Sequence, residues 1–324
     1  MNPGIASIAT YFPDAVLTND DLVMRFGFEK DFLSEKIGVE RRHIAAADEG
    51  VSDMATAAAN ALFATGIAKP ADIDLVVVCT QNPDYRLPTT ANIVQEKLGL
   101  RQNVAAFDIN QGCSGFVVGL SVVRSMMLAE GMRTALLLTS EAYSKVIDPS
   151  DRQTLPLFGD GAAATLITAG GLGRPGRFIW GSDGSGAKHL IVRGGGGLYP
   201  KEVATGDYAL FMDGRAIFNF MMRRVPSCVR ECLAANDLTM DDIDFFAFHQ
   251  ASRYMLENLA RSLEISMDRV PISIRDTGNT VSSTIPILLD SLGGIDSLNG
   301  KRVLVAGFGV GLSWAATVLT FARN

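Results

Sequence analysis

Short apolar runs from the first part of the chain return, in the same order, in the second part. Ala71-Asp72-Ile73-Asp74 leads into Leu75-Val76-Val77-Val78-Cys79, and Asp241-Asp242-Ile243-Asp244 leads into Phe245-Phe246-Ala247-Phe248-His249. Each reads as a helix end, an acidic turn and a short buried strand. Asn103-Val104-Ala105-Ala106-Phe107-Asp108 leads through Gly112-Cys113 into an apolar helix, as Arg269-Val270-Pro271-Ile272-Ser273-Ile274 leads through Gly278-Asn279 into another. Residues 133–139 parallel residues 301–306, and residues 159–167 parallel residues 309–319. One such pair is coincidence; a series in one order indicates internal duplication.

Each half alternates strands with helices, which predicts α/β layering on a mixed or parallel sheet. The helix at 115–123 is apolar nearly all round, and so is 282–289. A helix apolar on every face is buried on every face. The two therefore predict a central helical layer between two sheets. The halves meet near residue 170, dividing the chain into 1–170 and 171–324. Gly170-Gly171-Leu172-Gly173 and Gly194-Gly195-Gly196-Gly197 punctuate the link and the start of the second half. The tetraglycine lacks the Lys-Ser/Thr of a phosphate loop and reads as a turn. The duplication also predicts geometry: Cys113 and Asn279 occupy equivalent strand-to-helix turns, a pseudo-twofold axis brings those turns together, and His249 ends a strand on the same side.

Composition narrows the function classes. At 324 residues and 48% hydrophobic, the chain has a large core to bury. A net charge of −6 with no concentrated basic face argues against nucleic-acid binding. No apolar run reaches membrane-spanning length, and the N-terminal residues lack signal-peptide features, so a cytoplasmic location is the expectation. Four scattered cysteines do not form a disulfide framework. Cys228 and Cys232 lie four apart in a helical stretch with no histidine near them, so they read as packing residues and no metal site is expected. The histidines are His43, His189 and His249; His43, after two arginines, is expected at the surface.

Cys113 is the candidate nucleophile. Glycines flank it in Gly112-Cys113-Ser114-Gly115, so the backbone can turn sharply and a substrate can approach. The helix that follows places its positive dipole end beside the sulfur, which predicts a lowered thiol pKa. Taken locally, Cys113 also suits a small buried hydrophobe, His249 a strand-end structural residue, and Asn279 a helix cap. Their expected convergence is what favours chemistry.

These segments resemble the ketoacyl-acyl-carrier-protein synthase III family of thiolase-superfamily condensing enzymes, and the resemblance spans the whole chain. Asp108-Ile109-Asn110-Gln111-Gly112-Cys113-Ser114-Gly115-Phe116 resembles its nucleophile turn. His249-Gln250-Ala251 and Gly278-Asn279-Thr280 resemble its histidine and asparagine motifs. Gly38-Val39-Glu40-Arg41-Arg42-His43-Ile44, Leu157-Phe158-Gly159-Asp160-Gly161-Ala162 and residues 307–314 resemble three further segments. The resemblance implies a thiolase-like five-layered α-β-α-β-α sandwich of two duplicated halves, usually a homodimer. It implies a catalytic triad of Cys113, His249 and Asn279. Cys113 would carry an acyl group from an acyl-CoA primer, with an oxyanion held by the backbone N–H of Cys113 and one from Gly309-Val310. Malonyl on acyl carrier protein would then lose carbon dioxide, with His249 and Asn279 both donating to the enolate oxygen. Coenzyme A and carrier-protein thioesters are substrates, and no cofactor is implied.

Departures from the family pattern leave the primer open. Phe32 and Lys36 stand where a tryptophan and an arginine often meet the nucleotide of coenzyme A, while Arg152 is kept. Phe308 and Gly309 are further substrate-binding candidates. Val310 replaces a glycine, Ser252 an asparagine, and Leu87 stands where a side chain reaches the partner's acyl pocket. The expected pathway is fatty acid or specialised acyl or polyketide synthesis. An acyltransferase or thioesterase on the same scaffold, and a non-catalytic carrier-binding subunit, are the alternatives.

Overall fold

The structure is a computed structural model and describes residues 2–29, 31–198 and 208–322. Along the chain come β1 (Gly4–Tyr11), β2 (Ala15–Thr18), α1 (Asn19–Phe26), β3 (Arg41–Ile44), α2 (Val51–Ala64), β4 (Leu75–Cys79) and α3 (Thr90–Lys97). Next are β5 (Ala105–Ile109), α4 (Gly115–Glu130), β6 (Thr134–Glu141), β7 (Gly161–Thr168), β8 (Gly173–Pro175) and β9 (Ile179–Ser182). The rest comprises β10 (Leu190–Ile191), β11 (Phe211–Met212), α5 (Gly214–Ala235), β12 (Phe245–Phe248), α6 (Arg253–Leu263), α7 (Thr284–Ser291), β13 (Arg302–Gly309) and β14 (Ser313–Phe321). The tetraglycine forms bends and opens no helix. Among the described residues no helix is long and apolar enough to cross a membrane.

Strand pairing repeats. β4 runs parallel to β6, which runs antiparallel to β7; β12 runs parallel to β13, which runs antiparallel to β14. Where two sheets are expected, hydrogen bonds join the strands into one path, β12-β13-β14-β8-β1-β7-β6-β4-β5, with β9 on β14. The join is β8, which pairs with Ile5 on one side and with residues 319–321 of β14 on the other. Just before it, a Cβ on Gly171 would lie 1.9 Å from the Gly4 carbonyl oxygen, so only glycine lets the two backbones cross there.

Three apolar clusters set the layers. α2 and α3 cover one face of β1, β7, β6 and β4, with Met54, Leu62, Val76 and Leu138 between them. α5 and α6 cover the outer face of β13 and β14. Between lie α4 and α7, whose Phe116, Leu120, Ile285 and Leu288 pack against Leu75 and Leu137 on one side and Val303 and Leu319 on the other. The all-round apolar helices are thus the middle of an α-β-α-β-α stack, as their sequences require.

One predicted repeat fails. β5 pairs with β4, but its counterpart at 269–274 forms no strand. Pro271 has no N–H to give a ladder. The Gln250 side chain ties the segment down instead: its amide nitrogen donates to the carbonyls of Phe248 and Pro271, and its oxygen accepts from Ser273 N–H.

Candidate active site

The nucleophile turn begins where β5 ends. Asn110, Gln111 and Gly112 turn the chain, Gly115 N–H closes on Gly112 O at 2.7 Å, and α4 starts at Gly115. Cys113 is 7% exposed. The C-terminal end of β13 lies directly over it. A Cβ on Gly309 would sit 2.7 Å from Cys113 Sγ, and one on Gly307 would sit 2.4 Å from the Cys113 carbonyl oxygen. The expected thiolate is corrected here. Burial pushes the Cys113 thiol up to about 12 and the nearby Glu141 adds to it; the N–H groups of Val310 and of Cys113 itself pull the other way. Desolvation of the charged form outweighs the helix end, so the resting sulfur is a neutral thiol. Those two N–H groups are the pair expected to form the oxyanion hole.

The Asn279 turn meets the nucleophile turn at the helix starts, where a Cβ on Gly115 would come within 3.4 Å of Ser282 Cβ. Its position is fixed by other parts of the chain. Asn279 N–H donates to Leu157 O and Gly159 N–H to Asn279 O. Arg42, fully buried, reaches Pro156 O through Nε and Asn19 Oδ1 through one terminal nitrogen. Gly278, at φ +68, packs against the Arg42 side chain. Several family-like segments thus build a clamp around one asparagine. Val281 N–H donates to Asn279 Oδ1 at 2.9 Å, so the Asn279 amide nitrogen is left to point its N–H groups elsewhere. Val281 holds φ +54, a strained value for a β-branched residue.

His249 follows β12, and its N–H donates to Ala306 O on β13. The Phe308 ring meets the imidazole edge-to-face with centroids 5.7 Å apart. Successive residues of β13 therefore touch the imidazole and the thiol. Burial pushes His249 down to about 3, so the ring is neutral. Its Nδ1 lies 2.8 Å from Thr284 Oγ1, and Thr284 O–H donates to Val281 O at 3.1 Å. A hydroxyl has one hydrogen to give. With that hydrogen on Val281 O, Thr284 accepts from Nδ1–H, and Nε2 keeps its lone pair.

Other expectations fare differently. Phe32 and Lys36 are exposed on a helical turn at Phe32–Ile37. Phe32 stacks on Phe28, with centroids 6.4 Å apart, and the Arg152 guanidinium lies over the other aromatic, 4.9 Å from the Phe28 ring. Phe28 is the link that sequence reasoning missed. Leu87 is 82% exposed. His43 is only partly exposed: its ring lies tilted against Phe12 with centroids 5.0 Å apart, and Nδ1 lies 2.6 Å from Pro13 O. Cys228 and Cys232 are buried and free, and among the described residues no cluster of three or more metal-binding side chains forms. Glu141 was also missed. It is fully buried, pushed up to about 8 by desolvation, and accepts from Gln81 N–H, Thr80 and Ser282. The only sequence sign was a lone acid closing the apolar strand β6.

The chain as a whole is similar to known proteins. Residues 107–184 match 3-Oxoacyl-[acyl-carrier-protein (ACP)] synthase III, and residues 233–321 match its C-terminal region. A beta-ketoacyl-[acyl-carrier-protein] synthase III of Caldanaerobacter subterraneus subsp. tengcongensis is 34% identical, covering 99% of this chain and 98% of its own. A crystal structure of a 3-oxoacyl-(acyl-carrier-protein) synthase III superposes with TM-score 0.94 at 39% identity, over 99% of this chain and 100% of that one. The priming beta-ketosynthase of the R1128 polyketide pathway superposes with TM-score 0.90 at 30% identity, over 99% and 97%.

Proposed function

The chain belongs to the 3-oxoacyl-[acyl-carrier-protein] synthase III family, and on that footing we propose that it condenses an acyl group held on Cys113 with malonyl on acyl carrier protein, releasing carbon dioxide. The family's role in fatty acid or polyketide biosynthesis is the setting. The observation that carries the reading is one strand end, Gly307-Phe308-Gly309-Val310, packed against Cys113 and His249 together.

In the first half-reaction, the neutral thiol loses its proton to His249 Nε2 as Sγ attacks the acyl-CoA carbonyl. The Cys113 and Val310 N–H groups hold the oxyanion. The carbonyl reforms, the carbon–sulfur bond to coenzyme A breaks, and the departing sulfur takes the proton from the imidazolium. In the second, the malonyl carboxyl leaves as carbon dioxide and its electron pair moves into an enolate. Asn279 N–H stabilises the enolate oxygen. His249 joins it when its proton stands on Nε2, an arrangement the Thr284 hydroxyl permits by turning its hydrogen from Val281 O to Nδ1. The enolate carbon attacks the thioester on Cys113, the carbon–sulfur bond to Cys113 breaks, and the freed sulfur takes a proton from solvent once product leaves. Phe308 and the buried strand ends keep water from the carbanion.

The Phe32-Phe28-Arg152 stack, with Lys36 beside it, suits the nucleotide of coenzyme A at the mouth of the site. Exposed Leu87 suits a place in the acyl pocket of a second protomer. The division at residue 170 into two halves follows the repeated strand order. The test is mass spectrometry after incubation with acyl-CoA, then carbon dioxide release from malonyl-carrier protein. An acyl adduct on Cys113 followed by release is expected. An adduct without release means plain acyl transfer, and no adduct means a non-catalytic subunit.

A further inference from the structure

Glu141 closes β6 and pairs across the ladder with Gly161, the first residue of β7. It is fully buried. One carboxyl oxygen lies 3.0 Å from Ser282 Oγ, and the other accepts from Gln81 N–H at 3.0 Å, with Thr80 Oγ1 at 3.5 Å. Ser283 O–H donates to Gly161 O at 3.3 Å. The segment that follows Asn279 therefore rests on the rung of Glu141 and Gly161. The same segment supplies Val281 N–H to Asn279 Oδ1 and Val281 O to Thr284, which bonds His249. Glu141 thus reaches both proposed enolate donors through one turn. Ser282 also lies within hydrogen-bonding reach of the Cys79 sulfur, whose S–H donates to Gln111 O of the nucleophile turn at 3.1 Å.

The titratable groups that face this carboxyl are acids. Cys79 faces it from β4, Cys113 from the nucleophile turn, Tyr143 from the segment after β6 and Asp160 from the residue before β7. Residues 281–283 bring only hydroxyls and a valine. Among the described residues no Lys, Arg or His bonds to it. A buried carboxyl among acids, with no cation bonded to it, keeps its proton, and burial pushes Glu141 up to about 8. The neutral form suits the same atoms: with the proton on the first oxygen the bond to Ser282 reverses, and the Ser282 hydrogen turns to the Cys79 sulfur. A carboxylate there would instead repel the charge that builds on the enolate.

Building on the condensing-enzyme reading, we propose that Glu141 is a positioning residue for decarboxylation: a neutral acid that ties Ser282 to the end of β4 and so holds Asn279 and His249 for the enolate oxygen.

The experiment starts from enzyme already acylated on Cys113 by acetyl-CoA, so that this thiol no longer titrates. It follows single-turnover carbon dioxide release from malonyl-carrier protein as a function of pH. The wild-type rate should fall as pH rises through about 8. Near neutral pH, Glu141→Ala should release carbon dioxide about tenfold more slowly than wild type. Glu141→Gln keeps the shape and an N–H for Ser282, so it should recover most of that loss and lack the alkaline fall. An alanine variant as fast as wild type would overturn the proposal. So would a glutamine variant no faster than alanine, a flat wild-type profile, or an alkaline fall that persists in glutamine. If the thermal midpoint shows that the alanine variant is unfolded, the glutamine profile still decides. A wild-type chain that takes up acyl groups and releases no carbon dioxide would overturn the condensing-enzyme reading and this proposal with it.

Discussion

The two strand-to-helix turns at the centre of the molecule hold their key residues by different means. The Cys113 turn is an extension of regular structure: β5 lies in a parallel ladder with β4, and α4 starts two residues after the cysteine. The Asn279 turn has no strand before it. Its place depends on the Gln250 side chain, on backbone bonds to Leu157 and Gly159, and on positive φ at Gly278 and Val281. A ladder fixes a turn locally, whereas the second turn is fixed by a segment more than a hundred residues away. Asn279, the proposed enolate donor, is thus positioned by contact with the other half, and on that proposal a fault at that contact should spare acyl loading.

The sharpest way to break the comparison is at the sulfur. If burial governs Cys113, its alkylation by iodoacetamide should keep rising with pH beyond 9, because the thiol is pushed up to about 12. Burial thus leaves far less thiolate at neutral pH than an exposed cysteine holds. A plateau near pH 7 would restore the helix-end account and sink the burial account. Next is the donor. Asn279→Asp keeps an oxygen for Val281 N–H and removes the N–H groups. It should cut carbon dioxide release about 100- to 1000-fold while Cys113 still takes up acyl groups. Loss of loading as well would show that the two turns do not divide the labour.

Two glycines sharpen the contrast. A Cβ on Gly159 would lie 2.1 Å from the Thr277 carbonyl oxygen, a backbone atom that cannot step aside. One on Gly112 meets only the ends of the Val310 and Gln81 side chains. Gly159→Ala should therefore lower the thermal midpoint and cost roughly tenfold or more in condensation, and Gly112→Ala should lower the midpoint less. Equal losses would mean the Asn279 turn is no more dependent on backbone contact than its counterpart.

The same contrast decides what could be read from the sequence. β4, β6, β7, β12, β13 and β14 announce themselves as apolar runs, and α4 and α7 as helices apolar on all sides. Cys113, His249 and Asn279 follow from those elements once the repeat is noticed. The missing counterpart of β5 was signalled only by Pro271, and no periodicity shows that Gln250 takes over its hydrogen bonds. The neutral thiol was missed because the helix end is local, whereas burial beneath β13 and the nearness of Glu141 depend on the assembled layers. The burial of Arg42, which reaches Pro156 O and Asn19 Oδ1, had no sign in the sequence for the same reason.

The smallest expected effect concerns Thr284, which stands between the Asn279 turn and His249. Its hydroxyl joins Val281 O to His249 Nδ1 and can accept from that nitrogen or donate to it, so it supports the ring in either tautomer. Thr284→Val keeps the shape and removes the hydroxyl. The ring then loses a partner at Nδ1, and both half-reactions should slow by about tenfold. Thr284→Ser should recover most of the rate, since the oxygen returns without the methyl group. The serine variant separates positioning from packing: rescue requires the hydroxyl, while a packing role predicts that valine is the better substitute. If valine matched the wild type in both half-reactions, the imidazole would be oriented by Phe308 and by its own hydrogen bond to the Val281 backbone, and the second turn would reach His249 through that backbone.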